Sequence, residues 1–226
     1  MRESAPSPGN DVFPPGLPRA CEIALVLLAL PLVLPLGALA VLLVFVSSRG
    51  GPFFRQTRVG QGGRPFALLK FRTMHTGSRG AQVTVAGDAR VTRIGRLLRA
   101  AKVDELPGLW NVLRGEMALV GPRPEVPSLV DFQSPLWRRV LLARPGLTDP
   151  VTLRLRNEEQ LLAKAGDAFE EYYKTTLQPL KLRGYIAYLE GRHWWSDAGV
   201  LLQTVWAVLV PRRVHAPSHA EIAGRG

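Results

Sequence analysis

The chain has 226 residues, 46% of them hydrophobic, and a net charge of +11, which fits one packed domain plus a membrane segment. Its lone cysteine, Cys21, excludes an internal disulfide and a Cys-based zinc site and is compatible with a reducing compartment. The positive charge suits anionic lipid headgroups, phosphorylated substrates or nucleic acid.

Residues 1–17 are rich in Pro, Gly and Ser and read as a disordered lead-in. Residues 23–46 carry no charge. As a helix they would extend roughly 36 Å, enough to cross a hydrocarbon core of ~30 Å. Pro31 and Pro35 stand near the middle, where each removes a helical hydrogen bond and crowds the preceding turn. Arg19 precedes the segment, and Arg49, Arg55 and Arg58 follow it, so the positive-inside rule gives only a modest bias. Two readings stay open: a helix that spans the bilayer, and one that bends at a proline and returns to the same face. A secretory signal fits less well. Cleavage after Ala38-Leu39-Ala40 would leave residues 41–46 as an exposed apolar terminus.

Gly50-Gly51-Pro52 ends the apolar helix. Residues 53–58 and 65–71 read as two short strands joined by the turn Gly60-Gln61-Gly62-Gly63. Residues 75–90 read as a loop. Ile94, Leu97, Leu98 and Ala101 have helical spacing among Arg93, Arg96 and Arg99. That pattern fits a basic amphipathic helix on a membrane surface, or equally a solvated face over a core stripe. Leu106, Leu109, Trp110 and Leu113 form a further apolar stripe that predicts a buried helix capped by Gly115. Pro107 is acceptable only in a first turn, which sets Asp104 and Glu105 at or next to that helix's start. Residues 126–143 predict another helix, Arg144-Pro145-Gly146-Leu147 a turn, and 157–191 mostly helix broken near Gly166 and Pro179. Residues 197–210 are apolar almost all round and are either buried or on the membrane. The preceding Trp194 and Trp195 suit the headgroup layer or a core. Residues 211–226 read as a loose tail. The fold class is α+β and helix-dominated.

Several side chains suggest phosphate chemistry. Asp104 and Glu105 are neighbours, and at a helix start both can face one site. The free amides and dipole there would favour the ionised form of Asp104. A carboxylate can attack phosphorus, and a second one can hold Mg²⁺; the plainer alternative is helix capping. Arg123 lies between Pro122 and Pro124, which fix its backbone and suit a phosphate clamp, or simply a rigid surface loop. Lys70 and Arg72 alternate onto one strand face, either towards a diphosphate or towards solvent. The arginine excess fits polyphosphate binding, since Lys70, Lys102, Lys164, Lys174 and Lys181 are the only lysines; a GC-rich genome explains it equally. Gly60-Gln61-Gly62-Gly63 lacks the lysine and hydroxyl of a phosphate-cradling loop. His75, His193, His215 and His219 show no metal spacing.

Read together, these segments resemble the bacterial sugar transferase family, the monotopic polyprenyl-phosphate phosphoglycosyl transferases. The matching blocks are Gly51-Pro52-Phe53-Phe54-Arg55-Gln56, Arg58-Val59-Gly60, Lys70-Phe71-Arg72-Thr73-Met74, Thr92-Arg93-Ile94-Gly95-Arg96-Leu97-Leu98-Arg99 and Asp104-Glu105-Leu106-Pro107. Further blocks are Leu109-Trp110-Asn111-Val112-Leu113-Arg114-Gly115-Glu116-Met117, Leu119-Val120-Gly121-Pro122-Arg123-Pro124-Glu125 and Arg144-Pro145-Gly146-Leu147-Thr148. They run in the family's order from about residue 19 to 210.

The resemblance implies a re-entrant membrane segment at 18–48, bent at Pro35, and a catalytic domain at 49–210 on the cytoplasmic face of the bacterial inner membrane. It implies that Asp104 attacks the sugar-bearing phosphorus of a UDP-sugar, that UMP leaves, and that undecaprenyl phosphate takes up the phosphosugar. Glu105 would bind Mg²⁺, Arg123 would hold a phosphate, and Lys70 and Arg72 would line the site. Membrane lipids are implied partners and nucleic acid is not; a homo-oligomer or contact with pathway glycosyltransferases stays open.

Three departures stand out. Leu34 replaces the usual serine before the bend proline, with Pro31 in addition. The family's Lys-Arg and Phe-Asp lead is reduced to Arg19 and Cys21-Glu22. Asp149-Pro150-Val151-Thr152 stands where many members continue Gly-Trp-Ala-Gln, a region that helps shape the sugar or nucleotide end. Two other readings remain: a catalytically inactive scaffold for polysaccharide assembly, and a membrane-tethered nucleic-acid binder, for which no reader motif is visible.

Overall fold

The computed structural model describes residues 13–48, 50–77 and 83–210. Most of the lead-in, Arg49 and the C-terminal tail lie outside the described residues. The fold is α+β and helix-dominated. Helix α1 (Arg19–Ser47) has 29 residues with both prolines inside it, about 43 Å of helix. Among the described residues it is the one helix long and apolar enough to cross a membrane. Leu28, Leu32, Leu34 and Leu39 in its middle are exposed.

Both ends of α1 pack on the same body. At the start, Arg19 donates to the carbonyls of Val112 and Leu113, and the buried Glu22 accepts from the Leu119 amide at 2.8 Å. Val26 joins Leu68, Val112, Met117, Val120 and Val200 in the main apolar cluster. Near the other end, Ala40 and Val44 pack with Phe71 and Leu98.

Strands β1 (Phe53–Val59) and β2 (Pro65–Phe71) form the expected antiparallel hairpin, with Phe53 opposite Phe71 and Val59 opposite Pro65. Its turn requires glycine, since Gly62 and Gly63 have φ of +66° and +76°. Helix α2 (Arg93–Ala100) begins at Thr92, whose hydroxyl accepts the Gly95 amide at 2.8 Å, a capping contact. It buries Leu98 and leaves Leu97 66% exposed.

The chain continues through α3 (Gly108–Leu113), β3 (Ala118–Val120), α4 (Pro135–Val140), β4 (Gly146–Thr148), α5 (Pro150–Arg154), α6 (Glu158–Lys164), α7 (Phe169–Tyr172), α8 (Gln178–Glu190) and α9 (Trp194–Leu209). Strands β3 and β4 pair in parallel, Ala118 beside Gly146 and Val120 beside Thr148.

Several expectations are corrected. The single helix over 126–143 is instead a short turn (Pro127–Leu129) followed by α4, because Pro127 and Pro135 can each only start a helical segment. The turn expected at 144–147 runs into β4, which begins at Gly146. Glycine is required there for close approach: a Cβ on Gly146 would lie 2.1 Å from the Gly121 nitrogen. The α3 stripe is only partly buried, with Trp110 54% exposed. Gly115 does end α3, at φ +79°. The break at Gly166 stands, and near Pro179 the α-helical pattern is interrupted by a π-helical turn rather than ended. Pro179 follows that turn (Tyr173–Leu177) in the first turn of α8, where proline is best tolerated.

Candidate active site

Lys102 is the one non-glycine residue with positive φ (+57°) among the described residues, a conformation that costs an L-residue about 1 kcal/mol. It reverses the chain after α2 and sends it into a tight turn, Val103–Glu105. The flanking Val103 and Leu106 pack against the cluster of Ala40, Val44, Phe71 and Leu98. The acidic pair is therefore clamped between α1, α2 and the hairpin.

The two carboxylates meet opposite environments. Helix α3 begins only at Gly108, so the amide-rich helix start expected to support Asp104 lies further along the chain. Asp104 is 7% exposed, and among the described residues its Oδ1 is buried without a hydrogen-bond partner. Burial, reinforced by the neighbouring Glu105 charge, raises its carboxyl above the usual range.

Glu105 is saturated with cations. Lys70 Nζ donates to its Oε1 at 3.2 Å, and Arg123 donates to Oε2 at 3.3 Å and to Oε1 through its other guanidinium nitrogen. Burial alone would raise the Glu105 carboxyl, but Arg123 and Lys70 hold it well below the usual range. Burial lowers Lys70 to about 8, with Glu105 opposing. The Glu105 charge raises Arg123 further.

Lys70, Glu105 and Arg123 line one cleft together with Arg58, Met117 and Leu147. Arg72 does not join them. Its Nε donates to the Gly51 carbonyl at 2.7 Å and its Nη2 to the Phe53 carbonyl at 3.1 Å, so it braces the base of the hairpin. Pro35 lies on the exposed middle of α1.

Two contributors escaped the residue-level reading. Asn111 accepts from the Leu69 amide at 3.1 Å and donates to the Ala67 carbonyl at 2.8 Å, which pins β2 on both sides of Leu68 and so sets Lys70. A polar residue beside an apolar stripe, inside a matching block, was its signal. Arg58 entered as a charge flanking the apolar segment and as part of a matching block; its strand neighbours gave no reason to place it in the cleft.

A divalent cation would find one free carboxylate oxygen here, since both oxygens of Glu105 are engaged by Lys70 and Arg123. Asp104 offers a buried carboxylate oxygen with no protein partner, next in sequence to Glu105 and near enough for the two charges to repel. Mg²⁺ needs only one or two carboxylates when substrate phosphates and water complete its shell. Among the described residues no group of three or more His, Cys, Asp or Glu side chains gathers, so a cage made of protein alone is not formed there.

The chain is similar to known sugar transferases. The family model described as bacterial sugar transferase matches residues 15–211. A UDP-glucose:undecaprenyl-phosphate glucose-1-phosphate transferase of Caulobacter vibrioides is 40% identical over 84% of this chain and 69% of its own length. The exopolysaccharide production protein ExoY of Sinorhizobium fredii is 34% identical over 69% of this chain and 75% of its own. A UDP-N-acetylgalactosamine-undecaprenyl-phosphate N-acetylgalactosaminephosphotransferase of Aeromonas hydrophila is 41% identical over 58% of this chain, but the match spans only 32% of that longer protein. The chain belongs to the bacterial sugar transferase family. It is an enzyme of the phosphoglycosyl transferase class.

Proposed function

We propose that the protein moves a sugar phosphate from a UDP-sugar to undecaprenyl phosphate in two displacements at phosphorus, with Asp104 as the nucleophile. A carboxylate oxygen of Asp104 attacks the phosphorus that carries the sugar. The bond from that phosphorus to the bridging oxygen breaks, UMP departs with the electron pair, and the phosphosugar stays on Asp104 as an acyl phosphate. A phosphate oxygen of undecaprenyl phosphate then attacks the same phosphorus. Asp104 leaves as a carboxylate, and the product is undecaprenyl-diphospho-sugar.

The observation that carries this reading is the buried Asp104 oxygen without a partner, set beside the Glu105–Lys70–Arg123 cluster. A carboxylate held by hydrogen bonds is a poor nucleophile, whereas a desolvated one is reactive and has a strong demand for charge compensation. Lys70 and Arg123 provide that compensation by binding the donor's phosphates, and Glu105 keeps both cations aimed at the cleft. Mg²⁺ would supply shielding of negative charge between carboxylate and diphosphate, and Glu105 would reach it by giving up a contact to Lys70 or Arg123.

The two-ended packing of α1 supports a segment that enters and leaves the bilayer on one face. The Glu22 contact to Leu119 and the Val44 contact to Leu98 draw both ends to the same domain, which a straight crossing of ~30 Å would separate. The domain would then face the cytoplasm, where nucleotide sugars are made. With Cys21 replaced by serine, single cysteines at Leu17 and Ser48 should label from the same side; labelling from opposite sides contradicts this topology.

The reaction is tested by incubating the protein and Mg²⁺ with a panel of UDP-sugars and no lipid acceptor. Release of UMP with one donor supports the reading and identifies the sugar. Absence of release with every donor, while lipid-linked product forms once acceptor is added, contradicts the two-step route.

A further inference from the structure

Arg123 is held from behind. Arg58 donates through Nη1 to the Pro124 carbonyl at 2.9 Å and to Glu125 Oε1 at 3.4 Å, the two residues that follow Arg123. Gln56 fixes the Arg58 guanidinium in turn, accepting at 3.2 and 2.8 Å. The other Glu125 oxygen accepts the Tyr173 hydroxyl at 3.1 Å. Tyr173 is buried and opens the π-helical turn before α8, a local widening of the helix that recurs at functional sites. Lys181 approaches the same hydroxyl at 3.4 Å and is itself anchored by both oxygens of Glu158. The backbone of Glu125 is also tied to β1 by the Val59 amide at 2.8 Å.

We propose that Arg58 and Tyr173 are positioning residues for Arg123, acting through the Pro124 carbonyl and the Glu125 carboxylate. The inference rests on the reading of Arg123 as a phosphate-holding group. The prolines on either side of Arg123 limit its backbone torsions, but they do not fix where the loop sits. Arg58 fixes it against the hairpin and Tyr173 against the helical layer. Glu125 also offsets the positive charge that Arg58 would otherwise add beside Lys70 and Arg123. A phosphate clamp needs this support because a misplacement of about 1 Å can lower a rate 10²-fold.

Tyr173→Phe is the cleanest probe, because it keeps the ring packed with Leu162 and Leu177 and removes one hydroxyl. In steady-state transfer on protein verified as folded, kcat should fall about tenfold while KM for the donor changes less than about threefold. Adding Arg58→Lys should then lower kcat by less than Arg58→Lys does alone, because both act through Glu125. Glu125→Gln, which keeps an acceptor for the hydroxyl, should retain more activity than Glu125→Ala.

Unchanged kcat in folded Tyr173→Phe protein, or fully multiplicative losses in the double variant, overturns the inference. Arg123→Ala, assayed in parallel, separates the two levels. If it leaves transfer intact, the reading of Arg123 fails and this inference with it. If it is inactive while Tyr173→Phe is unaffected, only the positioning role fails.

Discussion

Asp104 and Asp197 are both buried aspartates, and they are treated in opposite ways. Asp197, in the first turn of α9, is 0% exposed. It accepts from the Leu17 amide at 2.7 Å, from Arg192 at 2.7 to 3.1 Å, and from the Tyr188 hydroxyl. Arg192 passes the restraint on by donating to the Val120 carbonyl at 2.9 Å. The start of α1, β3 and the α8–α9 corner are thus joined on one carboxylate. Asp104 has an oxygen with no such partner. Burial alone does not mark a reactive carboxylate; what separates the two is hydrogen-bond saturation, and among the described residues Asp104 is the one carboxylate with a buried oxygen left unpaired.

The largest expected effect is at Asp104. Asp104→Asn should lower UMP release by about 10³-fold or more, and it should also stabilise the fold. The folded-state carboxyl sits above its ordinary value of 3.8, so stability falls as pH rises from that value through the raised one, and ionised Asp104 is a burden at neutral pH. The thermal midpoint of Asp104→Asn should exceed that of the unaltered protein at pH 7 and lose the advantage below pH 3.8. A lowered midpoint at pH 7 would show Asp104 to be a structural residue like Asp197.

Asp197→Asn should do the reverse. It should destabilise by about 3 kcal/mol, because it leaves the Arg192 charge buried without its partner, while the folded fraction keeps most of its turnover. Denaturant unfolding alongside UMP release measures both. An undiminished stability would remove the contrast.

A smaller effect sharpens the role of the cations. Lys70 sits at about 8, so kcat/KM should fall as pH rises through that value, when Lys70 loses the proton that makes it a phosphate ligand. Arginine stays charged there. A pH profile of Lys70→Arg should therefore lack the alkaline fall, at some cost in activity near pH 7. A fall near 8 that persists in the variant assigns it to another group.

Much of the fold was legible in the sequence. The hairpin announced itself through two aromatic runs around a glycine turn, and α2 through its 3.6-residue spacing. The β3–β4 pair did not, because three-residue strands carry no periodicity and Pro145-Gly146 is an ordinary turn signal. Trp110 misled for a different reason: helical spacing shows which residues share a face, but not whether that face meets protein or lipid. At the site, the resemblance of the Asp-Glu and Pro-Arg-Pro blocks picked out residues that the structure gathers with Lys70. Their electrostatics were not legible. The raised state of Asp104 depends on where α3 begins and on what covers the turn, and neither follows from local residue types. Arg72 illustrates the same limit, since strand alternation could not reveal that its guanidinium braces backbone carbonyls.

The most direct test of Asp104 as a nucleophile is the mass of its own peptide. After brief incubation with Mg²⁺ and the donor sugar nucleotide but no lipid, followed by acid quench and digestion, the peptide containing Asp104 should carry the added mass of one phosphosugar. The adduct should disappear when undecaprenyl phosphate is supplied. An unmodified peptide in protein that still converts donor and acceptor to lipid-linked product would contradict the account.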